Sequence, residues 1–411
     1  MEKQQQQYLW WGIGAIVVIA VLWFVYGNSQ KNAPTAAVSN TPVIVSPRQP
    51  AAGLAGEIIA GAVLPREGEY AVLGQNIQQA IQLAVEDINA ERGIGGKKLV
   101  FAYQDGGCDT TKGSEAAKTL VTESKVQAII GGACAEETAG VVSVVNGGST
   151  IVFAPTGVAD EVANASGHLF RFVPPTASLG NAAGAYAAET LKAKRAAIVS
   201  VDSVEGKELA DAFSVGFEKS GGTVVFHILS WSDVANPAPM PSDVDVVYVV
   251  SSSVLQLAQI MEYLKIQNVT VPIITTDSVI ASWIDQAKKD VVEGLAAIEG
   301  VTAIAPFYDV QSERVMQFAK LYKARFGEDP AYPLYAANAY SQTYLLRDLI
   351  EKDGYDGAKM QKTLQAPLTG WAGGAFGKVD LDKMGDTLQR TFAAWKVEGG
   401  ALVSKGAIQT Q

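Results

Sequence analysis

The sequence predicts an α/β protein of two doubly wound parallel-sheet lobes, preceded by one N-terminal transmembrane helix. Three observations predict it: an uncharged apolar run near the start, short apolar runs separated by amphipathic stretches long enough for crossover helices, and two successive rounds of that alternation. With 411 residues, 48% hydrophobic side chains and 40 glycines, the chain can fill two packed units and still carry a tail. Its formal charge of −10 argues against a nucleic-acid partner, because phosphates require a basic footprint.

The first element is the run from Tyr8 to Tyr26, YLWWGIGAIVVIAVLWFVY, which has no charged residue and is long enough to cross a bilayer as a helix. Trp10, Trp11, Trp23 and Tyr26 lie near its ends, where amphipathic rings favour the headgroup zone. We read residues 8–26 as an uncleaved membrane anchor, residues 1–7 as a short cytoplasmic tail, and the rest as extracytoplasmic. The rival is a signal peptide cleaved after the small residues near Ala36 and Ala37, but the run exceeds the usual signal core of roughly 7–15 residues. No cysteine follows it closely, so a lipid-anchored start is not expected, and Lys3 alone fixes orientation only weakly. Residues 27–54 are rich in Pro, Ser, Asn and Ala and read as a flexible linker.

From Gly56 onward strand and helix alternate. EIIAGAVLP is a short buried strand, followed by GQNIQQAIQLAVEDINAERG, in which Ile77, Ala80, Ile81, Ala84, Val85 and Ile88 share one helical face. Gly93, Gly95 and Gly96 break the chain before the strand KKLVFAYQD. A helix near 112–123, the strand VQAII, a helix after Ala135 and the strand STIVFAP complete the first round.

The second round contains HLFRFVP, a small-residue helix over 178–193, RAAIVSVD, a helix over 205–219, TVVFHIL, VDVVYVV, a helix over 253–267 and VPIITTD. Between Trp231 and Val244 lies SDVANPAPMPSD, whose prolines 237, 239 and 241 cannot sustain a helix, so a loop replaces one crossover helix. Helices near 310–326, 333–352 and 357–366 follow, and then the strands AFGKVDLD and RTFAAWKVE. Open parallel sheets bind ligands at the carboxyl ends of their strands, so two facing sheets predict a cleft that closes by hinge motion.

Motifs of other chemistries are missing: there is no G-x-x-x-x-G-K-[ST] loop, no G-x-S-x-G elbow and no H-E-x-x-H. The two cysteines, Cys108 and Cys134, lack the paired spacing of a zinc site, and a nucleophilic cysteine would need a base. The two histidines, His168 and His227, sit in apolar strand patterns and read as structural.

Taken in order, "GQNIQQAIQLAVEDINAERGIGGKKL", "YQDGGCD", "AIIGGACAEETAGVV", "VFAPTGVADEV", "LFRFVPPTASLGNAAGAYAAE", "VDVVYVV", "EGLAAI" and "FGEDPAYPLYAANAYSQTYLL" carry a resemblance. The chain resembles the substrate-binding proteins of branched-chain amino-acid ABC transporters, the type I periplasmic binding protein fold, from Gly56 to about Gly400. The resemblance implies two lobes joined by a three-strand hinge, with no catalysis and no cofactor. It places an N-terminal lobe over 55–176 plus 303–383 and a C-terminal lobe over 177–302 plus 384–404.

The resemblance also implies a Cys108–Cys134 disulfide, in keeping with the oxidising compartment that two cysteines beyond a membrane span indicate. The helix start after Gly131-Gly132 offers amides to a ligand carboxylate. In relatives a serine follows the cysteine there, and here Ala135 takes its place. The threonine of a P-x-x-T motif becomes Val158, with Thr156 two residues earlier.

In the second lobe two pocket tyrosines become Glu205 and Ser252, while the acid that receives a ligand ammonium is retained as Asp277. Leu73, with Tyr70 nearby, stands where an aromatic covers the ligand side chain; Ala133, Glu136 and Thr176 complete the expected contacts. Glu137 reads as a first-turn acid that complements the helix dipole, and Glu136 is open to the same reading. Arg66 either neutralises one of these acids, meets an anion, or is a solvated loop residue. A free α-amino acid held in the usual manner therefore fits less well than the family suggests, and the expected ligand is an amino acid or an amino-acid-like or amide compound in a polar, acid-leaning pocket.

The expected function is capture of a small polar ligand for an ABC permease and its ATPase subunits. A ligand-sensing ectodomain working with a partner receptor or kinase is the alternative, disfavoured because only residues 1–7 would lie across the membrane. A cleft enzyme is a weaker third reading, and a transcriptional repressor of similar fold does not suit an acidic, membrane-anchored chain.

Overall fold

In a computed structural model, the residues described are 46–68, 70–157, 162, 167–228, 239–251, 254–276 and 294–409. The expected transmembrane segment 8–26 lies outside them, as does most of the proline-rich stretch after Trp231. Among the described residues no helix is long and apolar enough to cross a membrane.

Two sheets organise the fold. The first has the order β2-β1-β3-β4-β5, from β1 (Glu57–Leu64), β2 (Lys98–Asp105), β3 (Ala128–Gly131), β4 (Ile151–Ala154) and β5 (Leu169–Arg171). All of its pairings are parallel. The second runs β14-β13-β10-β9-β8-β6-β7, from β6 (Arg195–Ser200), β7 (Thr223–Ile228), β8 (Val246–Val250), β9 (Ile273–Thr276), β10 (Thr302–Pro306), β13 (Thr391–Glu398) and β14 (Ala401–Gln409). Its β6 to β10 core is parallel, whereas β13 pairs antiparallel with both neighbours. A small antiparallel ribbon joins β11 (Leu368–Trp371) to β12 (Val379–Leu381).

Alternating side chains on each strand serve two faces, as doubly wound layers require. In the first sheet Ala60, Ala62 and Ile130 pack under α1 (Ala71–Ala90) and α8 (Pro333–Asp353), together with α7 (Glu313–Phe326) and α9 (Gly357–Gln365). Val63, Ile129 and Val152 face the other way, toward α2 (Thr110–Thr122) and α3 (Ala135–Val145). In the second sheet Ile198, Tyr248 and Val250 pack on α4 (Thr176–Ala185) and α5 (Val204–Lys219), while Val199 and Val249 pack with α6 (Val254–Ile266). The chain leaves the first sheet after β5, leaves the second after β10 and re-enters the second at β13 after β12, which makes three connections.

Several local expectations need correction. The helix expected over 178–193 ends at Ala185 and continues as a π-turn from Tyr186 to Thr190. Of AFGKVDLD only Val379–Leu381 is strand, paired with the unexpected β11, and β14 is likewise an addition. The strand Thr302–Pro306 belongs to the second sheet, so the first lobe's later segment starts beyond it and not at 303. The described end of the expected linker is held on the first lobe: Arg48 pairs with Asp87 at 3.0 Å and the Ala51 amide donates to the Asn89 carbonyl at 2.9 Å. Composition alone misses that docking, because its partners lie at the far end of α1.

Candidate functional site

Where the strands of both sheets end, they enclose a cavity of about 150 Å³. From the first lobe come Tyr70 and Leu73 at the start of α1, Cys108 after β2, Ala133, Cys134 and Glu136 after β3, Thr156 and Gly157 after β4, and Tyr335 of α8. The second lobe adds Thr176 and Leu179 of α4, Ser203 and Glu205 at the start of α5, and Ser251 after β8. Val173 and Pro174 on one crossing and Pro306 at the end of β10 close the hinge side. The gap is narrow there: a Cβ built on Gly157 would stand 3.9 Å from Thr176 Oγ1.

Local backbone geometry explains the glycine pair that precedes the cysteine. A side chain at Gly131 would run into the Val63 carbonyl of the adjacent strand, and Gly132 (φ +80°) occupies the left-handed region, with Thr138 where its Cβ would be. The chain thereby turns into α3 with Cys134 as its N-cap, which provides no side-chain cap.

Glu137 does more than complement a dipole. It is fully buried, and its carboxylate accepts the amide of Cys108 (3.0 Å) through Oε2 and that of Ala133 (3.0 Å) through Oε1. Burial pushes its pKa up to about 7, against the opposing pull of the two amides. The Ala133 amide is therefore not available to a ligand carboxylate, contrary to expectation. The Cys108–Cys134 disulfide is formed, with Cα atoms 5.3 Å apart, and both cysteines line the cavity.

On the first-lobe side Asn338 Nδ2 donates to the Pro155 carbonyl (3.0 Å) and Gln342 Nε2 to the Ala154 carbonyl (2.7 Å), fixing the loop that carries Thr156. The Thr156 hydroxyl is turned back on the chain, within 3.2 Å of the Ala133 carbonyl and 3.4 Å of that of Gly132. Ser203 caps α5 by accepting the Gly206 amide at 2.9 Å, which sets the first turn that bears Glu205.

The cavity thus gathers Tyr70, Leu73, Ala133, Glu136, Thr156, Thr176 and Glu205 from the expected set. Ala135 is buried and absent from its wall; successive helix residues point about 100° apart, and Glu136 takes the lining position. Val158, Ser252 and Asp277 lie outside the described residues. Arg66 is elsewhere: its amide donates to Asp105 Oδ1 (2.9 Å), and it borders a separate polar groove with Gln75, Gln78 and Arg325. Neither histidine lines the cavity, and burial holds both below the ordinary imidazole pKa. Among the described residues no cluster of His, Cys, Asp or Glu could hold a metal ion.

Among the lining residues absent from the set that the sequence suggests are three with side-chain hydroxyls, Tyr335, Ser203 and Ser251. Tyr335 sits in the first turn of a helix that opens with Pro333 at its N-terminus, and that proline is the available signal. Ser251 is the neighbour of the serine that the resemblance points to.

A family model described as periplasmic binding protein matches residues 57–401. An amino acid binding protein of Pseudomonas aeruginosa is 28% identical over 166 residues, which cover 40% of this chain and 44% of the relative. The Leu/Ile/Val-binding protein of Escherichia coli K12 is 29% identical over 175 residues, covering 42% and 47%. The chain therefore matches somewhat less than half the length of these curated relatives. Among solved structures, a leucine binding protein from Thermotoga maritima superposes with a TM-score of 0.72 at 20% identity, over 86% of this chain and 99% of that one. A solute-binding protein of an ABC transporter from R. palustris, in complex with benzoate, superposes with a TM-score of 0.69 at 22% identity, over 86% and 97%.

Proposed function

Because the chain belongs to the periplasmic binding protein family, we propose that it captures a small polar solute between its two lobes and delivers it unchanged to an ABC permease with its ATPase subunits. The observation that carries this reading is the cavity walled jointly by strand ends of both sheets and by the interlobe connections. Capture is then a shift of population between open and closed arrangements of the lobes, with no covalent step. The relatives' names, with amino acids and benzoate among their ligands, support a small organic solute of amino-acid-like or amide character. Tyr70, Leu73, Glu136, Thr156, Thr176 and Glu205 are the proposed contacts, joined by Tyr335, Ser203 and Ser251. Residues 8–26 serve as the membrane anchor, with the lobes outside the cytoplasm, where the Cys108–Cys134 bridge is stable.

The test is isothermal titration calorimetry of the full-length protein in mild detergent against amino acids, amides, amines and small carboxylates. Saturable binding of one class, with compaction in small-angle scattering, is expected. Absence of binding across the panel would count decisively against capture.

A further inference from the structure

The serine and threonine hydroxyls of the cavity wall differ in what already engages them. Thr156 Oγ1 lies against the Gly132 and Ala133 carbonyls at 3.4 and 3.2 Å, and Ser203 Oγ accepts the Gly206 amide at 2.9 Å. Ser251 differs. It follows β8, an inner strand of the second sheet, and lines the cavity with only 3% of its surface exposed. Its Oγ is buried and has no hydrogen-bond partner among the described residues. The wall around it is apolar, with Val201, Leu209 and Val250 also lining the cavity. The nearest hydroxyl on the adjoining strand belongs to Ser200, in register with Val250, and it lies 3.3 Å from His227 Nε2.

A buried hydroxyl without a partner has given up its bonds to water and received nothing in return, so it calls for a group that completes it. Serine both donates and accepts, and a hydroxyl or a carboxamide serves it in either sense. The carboxyl ends of parallel strands are where open sheets meet their ligands, so at the end of β8 the solute is in place to supply that group. An apolar group there leaves the hydroxyl unpaired. A site with such a polar atom rejects the analogue that lacks the matching group more strongly than apolar contact alone discriminates.

Resting on the capture reading above, we infer that Ser251 is a specificity-determining residue, and that the captured solute presents a hydroxyl or carboxamide to it at the end of β8. A solute whose second-lobe side is a plain hydrocarbon is disfavoured, whatever contacts its other end makes in the first lobe.

The test is calorimetry on the full-length protein with pairs of solutes that match in shape and differ in one polar group: threonine and valine, asparagine and leucine, 4-hydroxybenzoate and 4-methylbenzoate. In at least one pair the polar member is expected to bind about tenfold more tightly, the effect of one hydrogen bond, and Ser251→Ala should bring that pair to parity. Thermal unfolding of the ligand-free Ser251→Ala protein is expected at or above the wild-type temperature, because the lost hydroxyl had no partner. A clear drop would make the hydroxyl structural and overturn the inference. Parity or apolar preference in every pair that binds overturns it too, as does a polar preference that survives in Ser251→Ala; each leaves solute capture intact. If no pair binds but a member of the broader panel of amino acids, amides, amines and carboxylates does, a roughly tenfold loss of its affinity in Ser251→Ala supports the inference and an unchanged affinity overturns it. Absence of binding by all pairs and by that panel overturns both readings. The wild-type ranking within each pair stands whether or not the variant folds.

Discussion

Arg171 and Asp386, 215 residues apart, are joined through side chain and backbone together: Arg171 Nε lies 2.5 Å from Asp386 Oδ1, and the Arg171 amide donates to the adjacent Gly385 carbonyl at 2.9 Å. The arginine side chain is fully buried at the end of β5, where the chain leaves the first sheet, and Asp386 lies on the connection between β12 and β13. The pair ties together two of the three connections between the lobes. Removing one partner of a buried ion pair typically costs about 3–5 kcal/mol. Asp386→Ala is expected near the lower end, about 3 kcal/mol, because Asp386 retains some solvent contact. Urea denaturation checks this, and the double replacement Arg171→Met with Asp386→Leu should recover most of the loss.

The Cys108–Cys134 bridge closes a 26-residue loop, for which chain entropy gives about 3.5 kcal/mol of stabilisation. Reduction, or the double substitution to serine, is expected to lower stability by that order in denaturant titrations. Because both cysteines line the cavity, the same change should also weaken ligand binding. Equal affinity before and after reduction would show that Glu137 alone holds the two loops together.

Asn338 and Gln342 project from α8 to the carbonyls of Pro155 and Ala154, while Asn338 Oδ1 and Gln342 Oε1 have no hydrogen-bond partner among the described residues. Asn338→Leu removes the donor from a buried carbonyl and is expected to cost about 1–3 kcal/mol. It should also weaken ligand binding, because the neighbouring residue is Thr156. Thermal unfolding and calorimetry on one preparation separate the two effects, and a drop in stability with affinity intact would dissociate this loop from the site.

What the sequence discloses, and what it withholds, follows the range of the interactions. Strand and helix alternation is legible because it depends on neighbours in the chain: Ile77, Ala80, Ile81, Ala84 and Ile88 are all buried on α1 as their spacing requires. Sheet membership is a long-range property, which is why the lobe boundary that the resemblance implies cuts the strand Thr302–Pro306 at residue 303. Most cavity positions can be located because strand ends and helix starts fall at readable turns. The roles of individual acids cannot. Glu136 and Glu137 are adjacent in sequence, yet one lines the cavity while the other is buried between two loops 26 residues apart. Arg171 likewise gives no local hint of its distant partner.

Glu137 also gives the protein a pH dependence of unusual sign. Its carboxyl, ordinarily near 4.5, is raised by burial to about 7 in the folded protein. The folded state therefore holds this proton more tightly than the unfolded chain does. The resulting stabilisation is complete below about 4.5 and is lost as pH rises toward about 7. Above that, Glu137 is ionised in both states and its contribution is flat. The opposite slope is the usual one for carboxylates that are paired in the folded state, so the wild-type profile alone would mix the two. The difference between wild type and Glu137→Gln isolates it. The substituted amide cannot ionise, and its single carbonyl oxygen can still accept one of the two backbone N–H groups. Denaturant titrations at several pH values between 4 and 8 should show the wild type losing about 3 kcal/mol relative to the variant across that window. A difference that stays constant with pH would mean that Glu137 keeps its ordinary ionisation, with the two backbone amides cancelling the effect of its burial.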